Sequence, residues 1–405
     1  MTGTVFLVYY TEATGLKPLP WLISEFAAAN TASMVLFVGN PTNVVICEGF
    51  GVNNAAFTVY TILPFIGCSI ACFGGLAFQF RKPAHVPKNL QISCYLDPLS
   101  VLQDRVGAIV GSLVLVVCLG VIIALSFLHV DVWKVALPFA IAKFFFDLAW
   151  DHYRYTKHDA SLAAELQSDD DMKWKIKRSA TLPRDADFPI VTPSTTVTAE
   201  VPKMIEKQSP TQSLQGTPSE LEKRLFPNLR PKLNRCALHF PTFATALPRL
   251  PFGLIPFAFS QFILIEGLAH QGWIDVFADW LVKASHREMI PTIWLIGVLG
   301  VILCNGAGTN IGATILLTKV VRAAQMPDHT FRAAAIALAV ASNIGAVSFT
   351  FSASLAGLLW DSILKQKGVH TISQTRFALW NSLPLLLMTG VGLAIVTAEM
   401  AVLYR

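Results

Sequence analysis

The sequence predicts an all-α polytopic membrane fold, and three observations carry that expectation. Apolar residues make up 53% of the 405-residue chain and charged residues only 14%, against about 25% charged in a soluble domain. The 31 Lys+Arg and 26 Asp+Glu are unevenly placed, with 15 and 12 of them inside residues 151–249. The remainder therefore contains long uncharged runs, several near the roughly 20 residues that cross a bilayer as a helix. Mean hydropathy over the whole chain is +0.53. The net charge of +5 follows no basic stripe on a foldable segment, so no nucleic-acid partner is expected. The lipid bilayer is.

Five runs read as membrane helices: Ala55–Phe80, Val106–Leu128, Val132–Trp150, Leu250–Ala269 and Phe377–Ala398. Val106–Leu128 carries no charge, and Arg81-Lys82 stop the run before it. Lys134 and Lys143 in the third run lie where long stems can snorkel. Met1–Tyr10 reads as the stub of a preceding helix, too short to span. The seven cysteines are scattered, mostly within apolar runs, with no disulfide or zinc spacing. Cys68 and Cys72 share a helical face and are read as packing. No metal or cofactor is expected.

Three apolar segments do not read as simple helices. Leu22–Cys47 is interrupted at Asn30-Thr31-Ala32-Ser33 and again at Gly39-Asn40-Pro41-Thr42-Asn43. Met289–Thr318 is split at Cys304-Asn305-Gly306-Ala307-Gly308-Thr309-Asn310, and Ala333–Trp360 at Ser342-Asn343-Ile344-Gly345, followed by Ser348, Thr350, Ser352 and Ser354. Unwound backbone in hydrocarbon is tolerated where it is buried in protein or lines a cavity. There, half-helix N-termini offer free N–H groups to an anion, while loose carbonyls and hydroxyls suit sodium. Small residues also serve plain helix packing. That accounts for Cys68–Gly75 but poorly for Gly39–Asn43, where proline removes a donor and two amides need partners.

Phe26–Asn43 and Leu338–Ser354 share a faint internal repeat, with Asn30 matching Asn343 and Gly39–Thr42 matching Ser352–Ser354. Repeated halves around a midplane site mark secondary transporters. No G-x-x-x-x-G-K-[ST] phosphate loop is present, and no catalytic constellation is legible, so an ion gradient or a partner ATPase must supply energy and an enzyme is not expected. Glu266 lies within an apolar run and is the candidate for proton coupling.

Residues 151–249 contain ten prolines and no sustained apolar period, and are expected to be a cytosolic disordered insertion. Within it, Lys173–Arg178 suits an anionic membrane surface. Arg178-Ser179-Ala180-Thr181-Leu182-Pro183 resembles a 14-3-3 ligand, with Ser179 and Thr181 as phosphosites. The basic residues place 81–105, 151–249 and 362–376 inside and the C-terminus outside.

Around Glu25–Phe50 and Leu355–Phe377 the chain resembles the arsenical pump membrane protein family, within a superfamily of citrate, dicarboxylate and sodium/proton carriers. The resemblance covers nearly everything outside 151–249. It implies an inverted-repeat transporter with a re-entrant hairpin and broken helices, the first repeat incomplete. Residues 1–80 would be the rest of the first transport repeat (broken helix 22–47, helix 55–80) and 81–150 scaffold helices. Residues 250–405 would be the second repeat, with hairpin 291–318, broken helix 333–360 and last helix 377–398. The hairpin accommodates two half-helices of about 13 residues, roughly 20 Å each. Asn30, Thr31, Ser33, Gly39, Asn40, Thr42 and Asn43 would face Asn305, Gly308, Thr309, Asn310, Asn343, Gly345 and Ser348 across the substrate cavity.

The second hairpin lacks the proline and paired amides of bacterial arsenite carriers, and the helices preceding the first broken helix are missing, so an N-terminally truncated chain is expected. The expected activity is elevator-type secondary transport of a small anion or metalloid oxyacid, arsenite- or carboxylate-like, coupled to a sodium ion or proton. A sodium/proton antiporter and a transport-inactive membrane scaffold are the alternatives. A homodimer is a further expectation, as is a multi-pass location in the plasma or vacuolar membrane of a eukaryote.

Overall fold

The computed structural model describes residues 2–87, 104–125, 132–157, 237–247, 250 and 252–404. Ser179, Thr181 and the Lys173–Arg178 stretch lie outside them. Among the described residues the chain is helical with no strand. Four helices are long and apolar enough to cross a membrane: Ala55–Gln79, Arg105–Leu125, Met289–Gly306 and Gln374–Leu403. This is the make-up of an α-helical membrane protein.

The first stretch runs α1 (Thr2–Ala13), α2 (Pro18–Ala32), a 3-10 turn at Phe37–Gly39, α3 (Pro41–Phe50) and α4 (Asn54–Gln79). Then come α5 (Arg105–Leu125), α6 (Val132–Lys157) and the short α7 (Pro241–Ala246). The last stretch runs α8 (Leu254–His270), α9 (Trp273–Ser285), α10 (Met289–Gly306), α11 (Asn310–Ala323) and α12 (Asp328–Gly345). A second 3-10 turn at Phe351–Ala353 leads into α13 (Leu355–Gln366) and α14 (Gln374–Leu403).

Two compact units are distinguished, residues 1–147 with 248–405, and residues 148–247. In the smaller unit, Asp151 on α6 is buried and accepts from both the backbone N–H and the hydroxyl of Thr242, at 2.8 and 2.7 Å. It thereby serves the open N-terminus of α7. Within the stretch expected as an insertion, residues 151–157 continue α6 and Pro241–Ala246 forms α7.

Helix α5 is apolar on all sides, and Ile109, Leu113, Leu115 and Val116 are exposed. A helix that is apolar all round belongs in a core or in lipid, and along α5 only Ile122 is buried, packing near its C-terminal end. Helix α9 is different in kind. Ile274, Ala278, Leu281 and Ser285 are buried on one face, while Asp275, Asp279 and Lys283 occupy other positions. This i, i+4, i+7 period is plain in the sequence but falls in a charged stretch that hydropathy passes over.

Close helix crossings hold the larger unit together. Helices α4 and α14 run antiparallel: Gly67 faces Val391 and Ile395, whereas Gly75 faces Leu387 and Pro384. At their ends Phe80 stacks on Trp380, with ring centroids 4.8 Å apart. Helices α10 and α12 also pack closely, because a Cβ on Gly300 would lie 2.9 Å from the Ala341 Cβ, and one on Gly345 only 2.5 Å from Cys304 Sγ. Small residues at such crossings let dispersion act where apolar burial drives little association.

Three corrections to the sequence-derived elements have clear causes. Ser342–Gly345, expected to split 333–360, is the last turn of α12, with Ser342 and Asn343 bonding back to the Ala339 carbonyl at 3.1 and 2.9 Å, and the break is residues 346–354. The first broken helix has one interruption, residues 33–40, not two. Asn30 and Thr31 stay helical, bonding back to the carbonyls of Phe26 and Ala27, each at 2.8 Å, which satisfies the side chains without opening the turn. The second hairpin is unequal, with α10 at 18 residues and α11 at 14. The break falls late because Gly308 alone in that turn adopts a left-handed conformation, φ +86°.

Replacing Gly300 with leucine should overpack the α10–α12 crossing and cost about 1–3 kcal/mol. Gly390→Ala, where an added Cβ meets nothing within 4 Å, should be neutral or gain up to ~1 kcal/mol. Thermal unfolding of the purified variants in one detergent checks both.

Candidate functional site

The two breaks flanking the site have the same construction. Each helix stops, a 3-10 turn follows, and one extended polar residue caps the next helix. Asn40 (φ −143°, ψ 140°) accepts from the Thr42 N–H at 3.3 Å, and Ser354 (φ −146°, ψ 152°) accepts from the Gly357 N–H at 3.0 Å. Pro41 lacks an N–H and disfavours helical backbone at Asn40, so the first break is written locally. Gly39 is required by proximity, since a Cβ there would sit 2.4 Å from the Ser33 carbonyl oxygen.

Side-chain amides, buried at Asn43 and Asn310 and half-buried at Asn305, then satisfy the backbone that the breaks release. The Asn43 Nδ2 group donates to the carbonyls of Ser33 and Leu36, at 2.9 and 2.8 Å. The Asn305 Oδ1 accepts from the hydroxyls of Ser348 and Thr350 and from the Phe349 N–H. At the tip of the α10–α11 hairpin, Asn310 Nδ2 reaches the Ser342 carbonyl at 3.4 Å.

Asn343 ties the two broken helices together. Its Oδ1 accepts from Ser33 Oγ at 2.8 Å and from Asn40 Nδ2 at 3.2 Å. Its Nδ2 donates to Asn43 Oδ1 at 2.7 Å and to the Ala339 carbonyl at 2.9 Å. Two acceptor lone pairs and two hydrogens exhaust a primary amide, so this fully buried side chain has nothing left to offer a ligand. Next to it on α12, Ser342 Oγ lies 3.3 Å from Thr42 Oγ1, extending the same lock.

A cavity of about 150 Å³ opens beside this lock, between the two broken helices and the hairpin tip. Three helix N-termini line it: Asn40-Pro41 of α3, Asn310-Ile311 of α11, and Ser354-Leu355-Ala356 of α13. Asn30, Ser33 and Gly39 complete its polar wall. Each N-terminus carries a partial positive charge of about half an electron, and three converging on one space repel unless something negative lies among them. Glu25 is among the residues lining the cavity, and its carboxylate oxygens lie 3.1 and 3.0 Å from Thr4 Oγ1 on α1. Trp360 also lines it, and its buried indole N–H has no partner among the described residues. A water occupies about 30 Å³ of liquid, so the space suits a species of a few heavy atoms. Among the described residues no three His, Cys, Asp or Glu side chains gather as a metal site.

The expected face-to-face arrangement therefore divides into parts. Asn30, Ser33, Gly39, Asn40 and Asn310 line the cavity. Thr31 does not, because successive residues lie about 100° apart on a helix; with Asn30 on the cavity, Thr31 turns to Met388 Sδ, 3.3 Å away. Thr42, Asn43 and Asn343 form the lock, and Asn305 with Ser348 supports the second break. Gly345 lies against Cys304, and a Cβ on Gly308 would lie 3.8 Å from Gln261 Nε2. Thr309 is buried and precedes α11, with its hydroxyl 3.3 Å from Asn310 Oδ1. Glu266 is away from the cavity, 71% exposed and paired with Lys319 at 2.8 Å. Sequence reasoning left out Glu25, Ser354 and Trp360 as wall residues. Only Ser354, at the end of a polar cluster before a helical period, carried a local signal as a cap.

Comparison with known protein families, with curated proteins and with solved structures finds no match to this chain.

Asn343→Ala strands the Asn43 oxygen and two donors, and should cost about 1–3 kcal/mol for each group left unpaired in the interior. In a double-mutant cycle with Asn43→Ala the two changes should couple by about 0.5–3 kcal/mol, read from denaturation midpoints.

Proposed function

We propose that the protein is a secondary transporter of a small anion or metalloid oxyacid. The observation that carries this reading is the convergence of three helix N-termini on one small cavity walled by the two broken helices. Backbone N–H groups at a helix start bind oxyanions without a dedicated charged side chain. The cavity, at about 150 Å³, lies well below the ~300–1,000 Å³ of drug-sized ligand sites. An arsenite-like or short carboxylate species fits that scale, in keeping with the resemblance to the arsenical pump membrane protein family.

An inverted repeat with alternating access is the mechanism that goes with this reading. Helices α2 to α4 and α12 to α14 share the order helix, 3-10 turn, helix, long helix. Pro64 and Pro384 are each the eleventh residue of their long helix, and Asn30 and Asn343 each stand two residues before the end of theirs. The long helices α4 and α14 run antiparallel, as inverted halves require. The Asn343 lock makes the broken helices move together, so an elevator-like displacement carries the cavity as a unit. The protein is then a multi-pass transporter driven by an ion gradient, with sodium or a proton as the coupling ion.

Glu25 favours a second reading. Glu25 is a lining residue, and its carboxylate turned into the cavity would compete with an anionic substrate for the three positive poles; in a sodium/proton antiporter it would be the group that exchanges the two cations.

Reconstitution into vesicles separates the two. Uptake of arsenite or a short carboxylate should fall at least about tenfold in Ser354→Ala and Asn30→Ala, in line with losing ~1.4 kcal/mol of binding, with protein insertion unchanged. Sodium-driven proton movement without anion uptake, abolished by Glu25→Gln, would establish the antiporter instead. Flux of neither kind would sink both.

A further inference from the structure

Corresponding positions in the two halves are not filled alike. Between α2, α13 and α14, Phe26, Trp360 and Phe377 pack ring against ring with centroids 5.2 to 5.6 Å apart. Counting from the matching helix ends, their counterparts between α12, α3 and α4 are Ala339, Ile46 and Phe57. Ala335 likewise stands where the first half has Leu22. Two large side chains have become small, and the space they would occupy is a cavity of about 480 Å³ lined by Ile46, Phe57, Ala335 and Ala339. Its volume falls within the ~300–1,000 Å³ of ligand sites.

The cavity is apolar in its depth and polar at its mouth. Asn53, Asp328 and Arg332 line it, at the end of the bundle where α4 starts, α12 starts and α14 finishes. Helices α4 and α14 are both candidate spans, so this end corresponds to the level where hydrocarbon gives way to headgroups. Asp328 and Arg332 are exposed, one turn apart, and no ion pair joins them; Arg332 Nη1 instead meets the Tyr404 hydroxyl at 3.5 Å. Tyr60, also in the lining, adds a second hydroxyl. The mouth thus presents one carboxylate and one guanidinium side by side.

We propose that this cavity binds one acyl chain of a zwitterionic phospholipid, its phosphate on Arg332 and its ammonium on Asp328. The paired opposite charges select a headgroup that carries both signs, and a guanidinium is suited to phosphate. The site is separate from the transport cavity. It lies on the far side of the Ile46 and Ala339 turns from the Asn343 lock, and its occupancy is read without any transport measurement.

The test is native mass spectrometry of the full chain released from nanodiscs holding equal phosphatidylethanolamine, phosphatidylcholine and phosphatidylglycerol. One zwitterionic lipid should remain bound after detergent exchange. Restoring the other half's side chains, Ala335→Leu with Ala339→Phe, should reduce that adduct about tenfold or more. Arg332→Ala, an exposed change that leaves the bundle intact, should reduce it and remove the preference over phosphatidylglycerol. The proposal is overturned if wild type retains no lipid, if it retains phosphatidylglycerol preferentially, or if the filled variant retains as much as wild type. Should the filled variant not assemble, unchanged lipid identity and amount in Arg332→Ala overturns it alone.

Discussion

Everything in the larger unit depends on where the backbone polar groups go when a helix stops inside an apolar bundle. A stranded N–H or C=O away from water costs several kcal/mol, and this chain meets the demand with asparagine. Asn43 takes the carbonyls of Ser33 and Leu36, Asn305 takes the donors of residues 348–350, and Asn310 reaches Ser342. A primary amide offers two donors and two acceptor lone pairs without a charge, which is why this residue type can serve both ends of an unwound turn. Asn343, spending three of its four on the first broken helix and the fourth on the Ala339 carbonyl of its own, makes the two breaks one object.

The cavity follows from that construction. Once the breaks are joined, the helices restarting after them begin at one place, and the hairpin tip adds a third start. The positive poles are the by-product of chain termini that must lie somewhere; what makes them useful is that Asn40 and Ser354 use their side chains as caps for Thr42 and Gly357 and leave the space before the caps open. Glu25, on the neighbouring turn of α2, supplies the single carboxylate among the wall residues.

Likeness and difference between the halves carry separate meanings. Matched elements, the matched caps and the matched prolines of α4 and α14 describe a shared architecture. Departures from it, Ala339 for Phe26 and Ile46 for Trp360, leave a hollow on one side and an aromatic core on the other. A fold maintained by close crossings of small residues can afford such an asymmetry, because the α10–α12 and α4–α14 contacts do not pass through it.

The sequence by itself determined the helical class, the long helices and the three breaks, because those rest on local signals: uncharged runs, proline before a helix, glycine in a turn. The interiors of the elements were legible too, but their edges were not: polar Asn30 and Thr31 looked like a break and are helix, since their side chains bond to carbonyls one turn back. Only the tertiary structure decided which polar residues face the cavity and which lock helix to helix. Asn343 and Asn310 look alike in the chain, yet one has every bond of its amide filled, three of them by the first broken helix, and the other lines open space. Glu25 and Trp360 belong to the wall through crossings between segments more than 300 residues apart, and no local periodicity encodes a contact of that kind.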